Sequence, residues 1–424
     1  MTARIVITGM GVISPYGVGS DVLWEKLMAG ETGLKHLNTF ETSHIRCRVG
    51  GQLTDFRPDT YLNSRITRKI DRFSTFGLVT AHLALHDAGL LVDGKRPVWS
   101  QHEQGGHRVG ITVGNNLGGW EFAERELRHL WREGPREVSP YMATAWFPAA
   151  VQGNVSIHFG IKGIGRTFLS DRAGGALAII HAADCLQRGR ADIMLAGGSE
   201  APFSPYAALC YETSGLMSQQ ASTGSTEAYR PFDRAHDGLV TAEGAAFFVL
   251  ERAEDAHERG ASILAEVAGW ASTNDGYDPL HPAPDGRCYA AAMIRAMQRA
   301  RVQADELDCL FAAGSAVPDE DVSETRAIHL ALGDAAAHVP VSTPKSAFGN
   351  LFGAAFPVDM AIALLALQRR VIPSTLHLDQ PAQGCDLDYV PHTPRPVDRI
   401  DHCLLNARGM GGANASLLLR RWRS

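Results

Sequence analysis

Four elements in the first half of this 424-residue chain recur in the same order in the second half. Arg108 to Gly114 (RVGITVG) and Asp308 to Gly314 (DCLFAAG) each read as an apolar strand ending on glycine. Ala173 to Arg188 and Leu351 to Arg369 are helices of small residues, and the strands Asp192 to Ala196 and His402 to Asn406 come after them. Glu243-Gly244-Ala245 leading into Phe247 to Leu250 is echoed by Gly412-Ala413-Asn414 leading into Leu417 to Leu419. Strands and helices alternate throughout, which favours helices packed on buried, parallel strands. The expectation is an α/β fold of two pseudo-symmetric halves, 1–253 and 254–424, with the seam between Glu254 and Gly260.

Smaller features add detail. The strand Ala3 to Thr8 is expected to end at Gly9-Met10-Gly11, and a helix from Lys69 to Ala88 to stop at Gly89. Gly94 to His107, polar and broken by Pro97, Gly105 and Gly106, reads as an exposed loop. Gly118-Gly119 opens a helix with Trp120, Ala123, Leu127, Leu130 and Trp131 on one face.

Charge and cysteine usage narrow the function. With 46 acidic against 40 basic residues and no basic run, the chain has no electrostatic footprint for nucleic acid or an anionic membrane. Apolar runs such as Met360 to Leu367 fall short of the roughly 18 residues of a spanning helix. The N-terminus enters a strand directly, so no signal peptide is expected. Seven scattered cysteines without a CxxC point to a reducing, cytoplasmic setting, and 17 histidines without HExxH give no metal site. Gly9-Met10-Gly11 lacks the remaining parts of a phosphate loop and reads as a turn.

The informative stretch is Thr167 to Ala176 (TFLSDRAGGA), where a strand gives way abruptly to a small-residue helix. Such a turn places a residue at a helix N-terminus, where the dipole stabilises a thiolate and free amides can hold an oxyanion. The residue there is Arg172.

With six further segments, this stretch resembles the β-ketoacyl synthases of the thiolase superfamily. They are Arg4 to Gly11, Ala191 to Gly198, Arg230-Pro231-Phe232-Asp233, Glu243-Gly244-Ala245, Lys345-Ser346 and Gly411-Gly412-Ala413-Asn414. The resemblance implies a thiolase-like duplicated fold with five layers, αβαβα. In that family a cysteine attacks an acyl thioester and two histidines assist decarboxylation. Those positions fall here on Arg172, Ala313 and Asn350, whereas Asp321, Glu324 and Lys345 are retained. Arginine stays protonated and is no nucleophile, and neither alanine nor asparagine is a general base. An arginine at a helix N-terminus also opposes the dipole by roughly 0.3–1 kcal/mol. It therefore calls for either an acidic partner, such as Asp171, or an anion to hold. Ser170 is the only adjacent hydroxyl; Cys185 lies more than three turns along the helix, roughly 20 Å away.

One branch of the family has this defect: the chain-length factor, or ketosynthase-β subunit, of bacterial type II polyketide synthases. Its Ser-Glu-Gln-Ala-Gly-Gly is similar to Ser170 to Gly175 here, with Asp for Glu and Arg for Gln. Gly119 to Phe122, Ala145-Trp146-Phe147 and Asn406 to Gly409 fit the same branch. The resemblance implies a heterodimer with an active ketosynthase and a tunnel for the growing chain along the interface. It implies no cofactor bound by this subunit, the acyl chain arriving on the phosphopantetheine of an acyl carrier protein. Tunnel-lining candidates are Trp120, Ala123 and Leu127 on one helix face, Tyr206, and Met410 where active synthases carry a gating Phe. The alternatives are an autonomous condensing enzyme or acyltransferase using Ser170, and a purely stabilising scaffold.

Overall fold

The computed structural model describes residues 3–42, 45, 47–101 and 105–423. Ten strands lie along one sheet path: β1 (Ile5–Ser14), β2 (Val109–Gly114), β3 (Gly165–Phe168), β4 (Ile193–Glu200), β5 (Gly244–Arg252), β6 (Ala265–Asn274), β7 (Cys309–Phe311), β8 (Val341–Ser342), β9 (His402–Gly409) and β10 (Ala413–Arg420). Their spatial order is β3-β2-β4-β5-β1 and then β6-β10-β9-β7-β8, so one half mirrors the other strand for strand. Pairing repeats as well. In the first half β2 is parallel to β3 and β4, and β4, β5 and β1 run antiparallel. In the second, β7 is parallel to β8 and β9, and β9, β10 and β6 run antiparallel. The halves join where β1 meets β6.

The helices around this path include α1 (Arg72–Asp87), α2 (Trp120–Arg132), α3 (Ala150–Phe159), α4 (Gly174–Gln187), α5 (Pro205–Thr213), α6 (Arg287–Ala300), α7 (Pro318–Leu332) and α8 (Ala355–Arg369). Helices α1 and α3 cover the outer face of the first half, and α6 and α7 that of the second. Between the sheets lie α4 and α8, rich in alanine and buried almost throughout. This is the expected five-layer thiolase-like arrangement. Residues 352–369 are apolar and long enough to cross a membrane, which the shorter runs in the sequence did not suggest; 89% of the stretch is enclosed in this middle layer.

Even an irregularity repeats. The register slips between Ile7 and Gly9 in β1, and between Val267 and Gly269 in β6. A Cβ at Gly9 would lie 2.3 Å from the Ala84 carbonyl oxygen of α1, and one at Gly269 2.0 Å from that of Ala296 in α6. The expectation that the first strand ends at Gly9 is therefore corrected: β1 runs on to Ser14, and its glycines admit a helix rather than make a turn. The Gly94 to His107 stretch is also not wholly an exposed loop. Trp99 is buried there, its indole donating to the Phe159 carbonyl at 2.8 Å, while residues 102–104 lie outside the described residues.

The two ends of the path differ. Among the described residues β3 has no strand on its outer side. At the other end β8 is covered: Val341 N–H donates to Asp388 O at 2.8 Å, and Val390 N–H to Val341 O at 3.0 Å.

Candidate functional site

After β3 the chain turns sharply at Asp171, whose φ of 48° lies in the left-handed region that Asp tolerates better than most residues. One 3-10 turn, Asp171–Ala173, runs into α4. Gly175 lets α4 press on α8, since a Cβ there would meet Pro357 Cδ at 2.3 Å. The turn thus sits at the seam of the two halves, and Arg172 is only 5% exposed.

All three nitrogens of its guanidinium donate to carboxylates. Nη1 and Nη2 donate to the two carboxylate oxygens of Glu320 at 2.6 and 2.9 Å, and Nε donates to Asp171 Oδ2 at 2.9 Å. Burial works against the charge, but Glu320 and Asp171 outweigh it and hold Arg172 protonated. For Glu320 burial raises the carboxyl pKa, yet the Arg172 charge and hydrogen bonds, with Ser315, bring it below its usual value. Glu320 stands in the first turn of α7, where the dipole favours an acid and offsets the cost of a cation at the start of α4. The paired-cation reading holds: each of the three guanidinium nitrogens already donates to a carboxylate.

The other two family positions close the same centre. Asn350, 1% exposed, accepts Phe352 N–H at 2.9 Å and donates to Tyr229 Oη at 3.1 Å. Ala313 contributes no side-chain chemistry, and its N–H donates to Glu324 at 2.9 Å. Glu324 also accepts Gly314 N–H, while Asp321 accepts the N–H groups of Ser315, Ala316 and Phe232. Placed i, i+3 on α7, these two carboxylates clamp the 313–316 loop. Lys345 is buried against Asp359 and donates to Ala312 O at 3.0 Å. The cavity that remains, lined by Arg172, Ala313, Ser315, Lys345, Asn350 and others, measures about 10 Å³. That is room for about one water and none for an acyl thioester. The Met410 N–H donates to Asp171 Oδ2 at 3.0 Å.

The tunnel candidates fall into two groups. Trp120, Ala123 and Leu127 lie on α2, and the Trp120 ring meets that of Tyr206 with centroids 4.6 Å apart. Met410 packs with a different group that includes Tyr211 and Phe352, whose rings stack at 4.2 Å. The apolar face of α2 is displaced from the expected one. Phe122, Ala123 and Glu126 face the protein, Trp120 and Leu127 are half-buried, and Trp131 is 76% exposed. Trp131 therefore does not share the packed face; with Tyr206, Leu209 and Phe147 it belongs to the exposed large apolar residues of this region. A hollow of about 990 Å³ lies on the charged flank of α2 against Glu121, Glu124, Arg125 and Arg128.

Three buried acids were not singled out in the sequence. Glu320 sits 148 positions from Arg172, and only its place in the acidic first turn Asp319-Glu320-Asp321 hinted at a role. Glu200, at the end of β4, accepts from Asn116, Leu117 and Gly353 N–H groups, and burial still pushes its pKa to about 8. Asp71 accepts Phe73 and Phe122 N–H groups, and burial lifts it to about 7.

Comparison with known proteins fits this geometry. Residues 2–256 match the family Beta-ketoacyl synthase, N-terminal domain, and residues 264–379 Beta-ketoacyl synthase, C-terminal domain. The chain is 36% identical over 420 residues to the tetracenomycin polyketide synthase ketoacyl synthase beta subunit of Streptomyces glaucescens, covering 99% of this chain and 98% of that protein. It is 35% identical over 419 residues to 3-oxoacyl-(acyl-carrier-protein) synthase 2 of Vibrio cholerae, covering 99% of each. A solved structure described as the ishigamide ketosynthase/chain length factor superposes with a TM-score of 0.90 at 26% identity, over all of both chains.

Proposed function

The chain belongs to the β-ketoacyl synthase family, and from that premise we propose that it is a non-condensing ketosynthase-β subunit, or chain-length factor, of a type II polyketide synthase. Similarity of sequence does not separate the two kinds of relative, since a fatty-acid-type synthase and a ketosynthase-β subunit match it almost equally. The residues at the centre favour the ketosynthase-β reading. The carrying observation is a guanidinium held by two carboxylates where the family has its nucleophile, beside a cavity of about 10 Å³.

Among the described residues that line the cavity, none pairs a nucleophile with a general base, which supports a silent centre. Ser170 is half-buried, but no histidine lines the cavity to take its proton. The Met410 N–H is already taken by Asp171 and is not free to steady a tetrahedral oxyanion. The work left to the chain is to shape space for a partner: an active β-ketoacyl synthase, loaded by an acyl carrier protein. The unpaired edge of β3 and two strongly exposed apolar residues flanking it in sequence, Ile157 and Leu169, support the pairing. The half-buried Trp120 and exposed Tyr206 support a tunnel wall on the same side chains. A polyketide grows until its next unit overlaps such a side chain, an overlap costing about 1–3 kcal/mol.

Incubation with acyl- or malonyl-carrier protein followed by intact-mass measurement tests the silence of the chain. No covalent adduct is expected, and an acyl adduct on this chain would overturn the reading. Trp120→Ala or Tyr206→Ala, in the pair with an active synthase, should lengthen products. Unchanged lengths in both would leave only the scaffold alternative.

A further inference from the structure

Helix α2 begins without a cap of its own. Its N-cap residue is Gly119, which offers no side chain to a first-turn amide. A Cβ at Gly119 would lie 2.7 Å from Asp71 Cβ, so glycine is required for the close approach of that residue. The missing acceptor is supplied from the start of α1. Asp71, 2% exposed, receives Phe73 N–H on Oδ1 at 3.1 Å as the N-cap of α1. Its other oxygen, Oδ2, receives Phe122 N–H at 2.8 Å in the first turn of α2. One buried carboxylate thus caps two helices, and both positive helix ends favour its charge.

The strand-to-helix connection before α2 is tied down in a similar way. Glu200 accepts Asn116 N–H at 2.9 Å, Leu117 N–H at 3.2 Å and Asn115 Nδ2 at 3.1 Å, while Asn115 Oδ1 accepts Gly118 N–H at 2.8 Å. Glu200 fixes the approach, and Asp71 fixes the point at which α2 starts. Phe122 lies between Trp120 and Ala123, so movement of that point moves both.

We propose that Asp71 is a positioning residue that sets where α2 sits, and thereby how far Trp120, Ala123 and Leu127 reach into the tunnel, so that it governs product length without touching the acyl chain. This rests on the tunnel-wall reading above. Asp71→Asn separates its two duties. Asparagine caps α1 about as well as aspartate, using its carbonyl oxygen for Phe73. Its amide nitrogen then faces the Phe122 N–H, donor against donor, and the first turn of α2 loses its acceptor.

The variant is compared with the parent chain and with Trp120→Ala, each co-expressed with the partner synthase. Hydrogen exchange resolved by peptide reports α1 and α2 separately, and mass analysis reports product length. The expected result is exchange in the first turn of α2 faster by roughly tenfold, with α1 unchanged. Product lengths should shift or broaden in Asp71→Asn, with the melting temperature lowered by no more than about 1–3 °C. Unchanged exchange in α2 overturns the proposal. So does faster exchange with parental product lengths when Trp120→Ala alters them, and in that case the tunnel reading survives. Parental lengths in both variants overturn the tunnel reading, and this proposal with it. If Asp71→Asn does not fold, Asp71→Ser carries the same comparison: its shorter hydroxyl caps α1 and cannot also reach Phe122.

Discussion

Replacing Glu320 by glutamine removes one charge from the centre and almost no volume. The parent guanidinium makes two bonds to Glu320, at 2.6 and 2.9 Å, and one to Asp171 at 2.9 Å, with all three side chains about 95% buried. Breaking a buried pair from one side costs about 3–5 kcal/mol, because the remaining charge stays out of water. Glutamine keeps one oxygen acceptor, which puts Glu320→Gln at the lower end. Unfolding entropy near 2.1 cal/mol/K per residue gives about 0.9 kcal/mol/K for 424 residues in one cooperative transition. The melting temperature should therefore fall by about 3–4 °C in calorimetry at neutral pH. The double variant Arg172→Met with Glu320→Leu, made in an Asp171→Asn background so that no buried carboxylate loses its cation, should recover most of that loss, since apolar residues of similar volume replace the fork. The dependence on pH has a definite sign. The carboxyl of Glu320 lies below its usual value in the folded state, so its contribution is complete above the ordinary glutamate range and fades as pH falls through the folded value. The gap between parent and Glu320→Gln should close in that acid window. A shift below about 1 °C at neutral pH, or a double variant no better than the single one, would refute the claim that this pair holds the buried arginine.

Other outcomes follow from the same geometry. Arg172→Cys should produce no condensation product by mass analysis, because Ala313 and Asn350 supply no base; product formation by the isolated variant would contradict the site description. Glu200 has its pKa raised to about 8, so between the ordinary glutamate value and about 8 the folded chain keeps a proton that the unfolded chain has lost. Stability should decline as pH rises across that window, and Glu200→Gln should flatten the decline in melting temperature between about pH 5 and pH 8; equal slopes would refute it. Leu169→Glu places a charge on an exposed apolar residue beside the open edge of β3 and should abolish co-purification with the partner synthase while leaving the isolated chain folded.

The duplication was legible because strand endings, glycines and small-residue helices repeat in order, and β2 with β7, or α4 with α8, now occupy equivalent places. Family spacing pointed to single positions, 172, 313 and 350, and these three residues line one cavity. The pairing of Arg172 with Glu320 was not legible, because a contact across 148 residues leaves no periodic trace. Gly9 misled for a related reason: a glycine that admits a helix and one that makes a turn look alike until the helix is in place. On α2, periodicity marked an apolar stripe but not which flank meets the protein, and Glu126, buried and bonded to Ser139 N–H, stands where a polar residue would be read as outward.

The unequal ends of the sheet path have a consequence for valency. The covered end at β8 cannot accept another strand, because its neighbours already take those amides and carbonyls. Among the described residues, β3 is the one end of this path left to extend, and a strand that docks there consumes that site. Edge addition along this path therefore stops after one event, which limits pairing through it to two subunits.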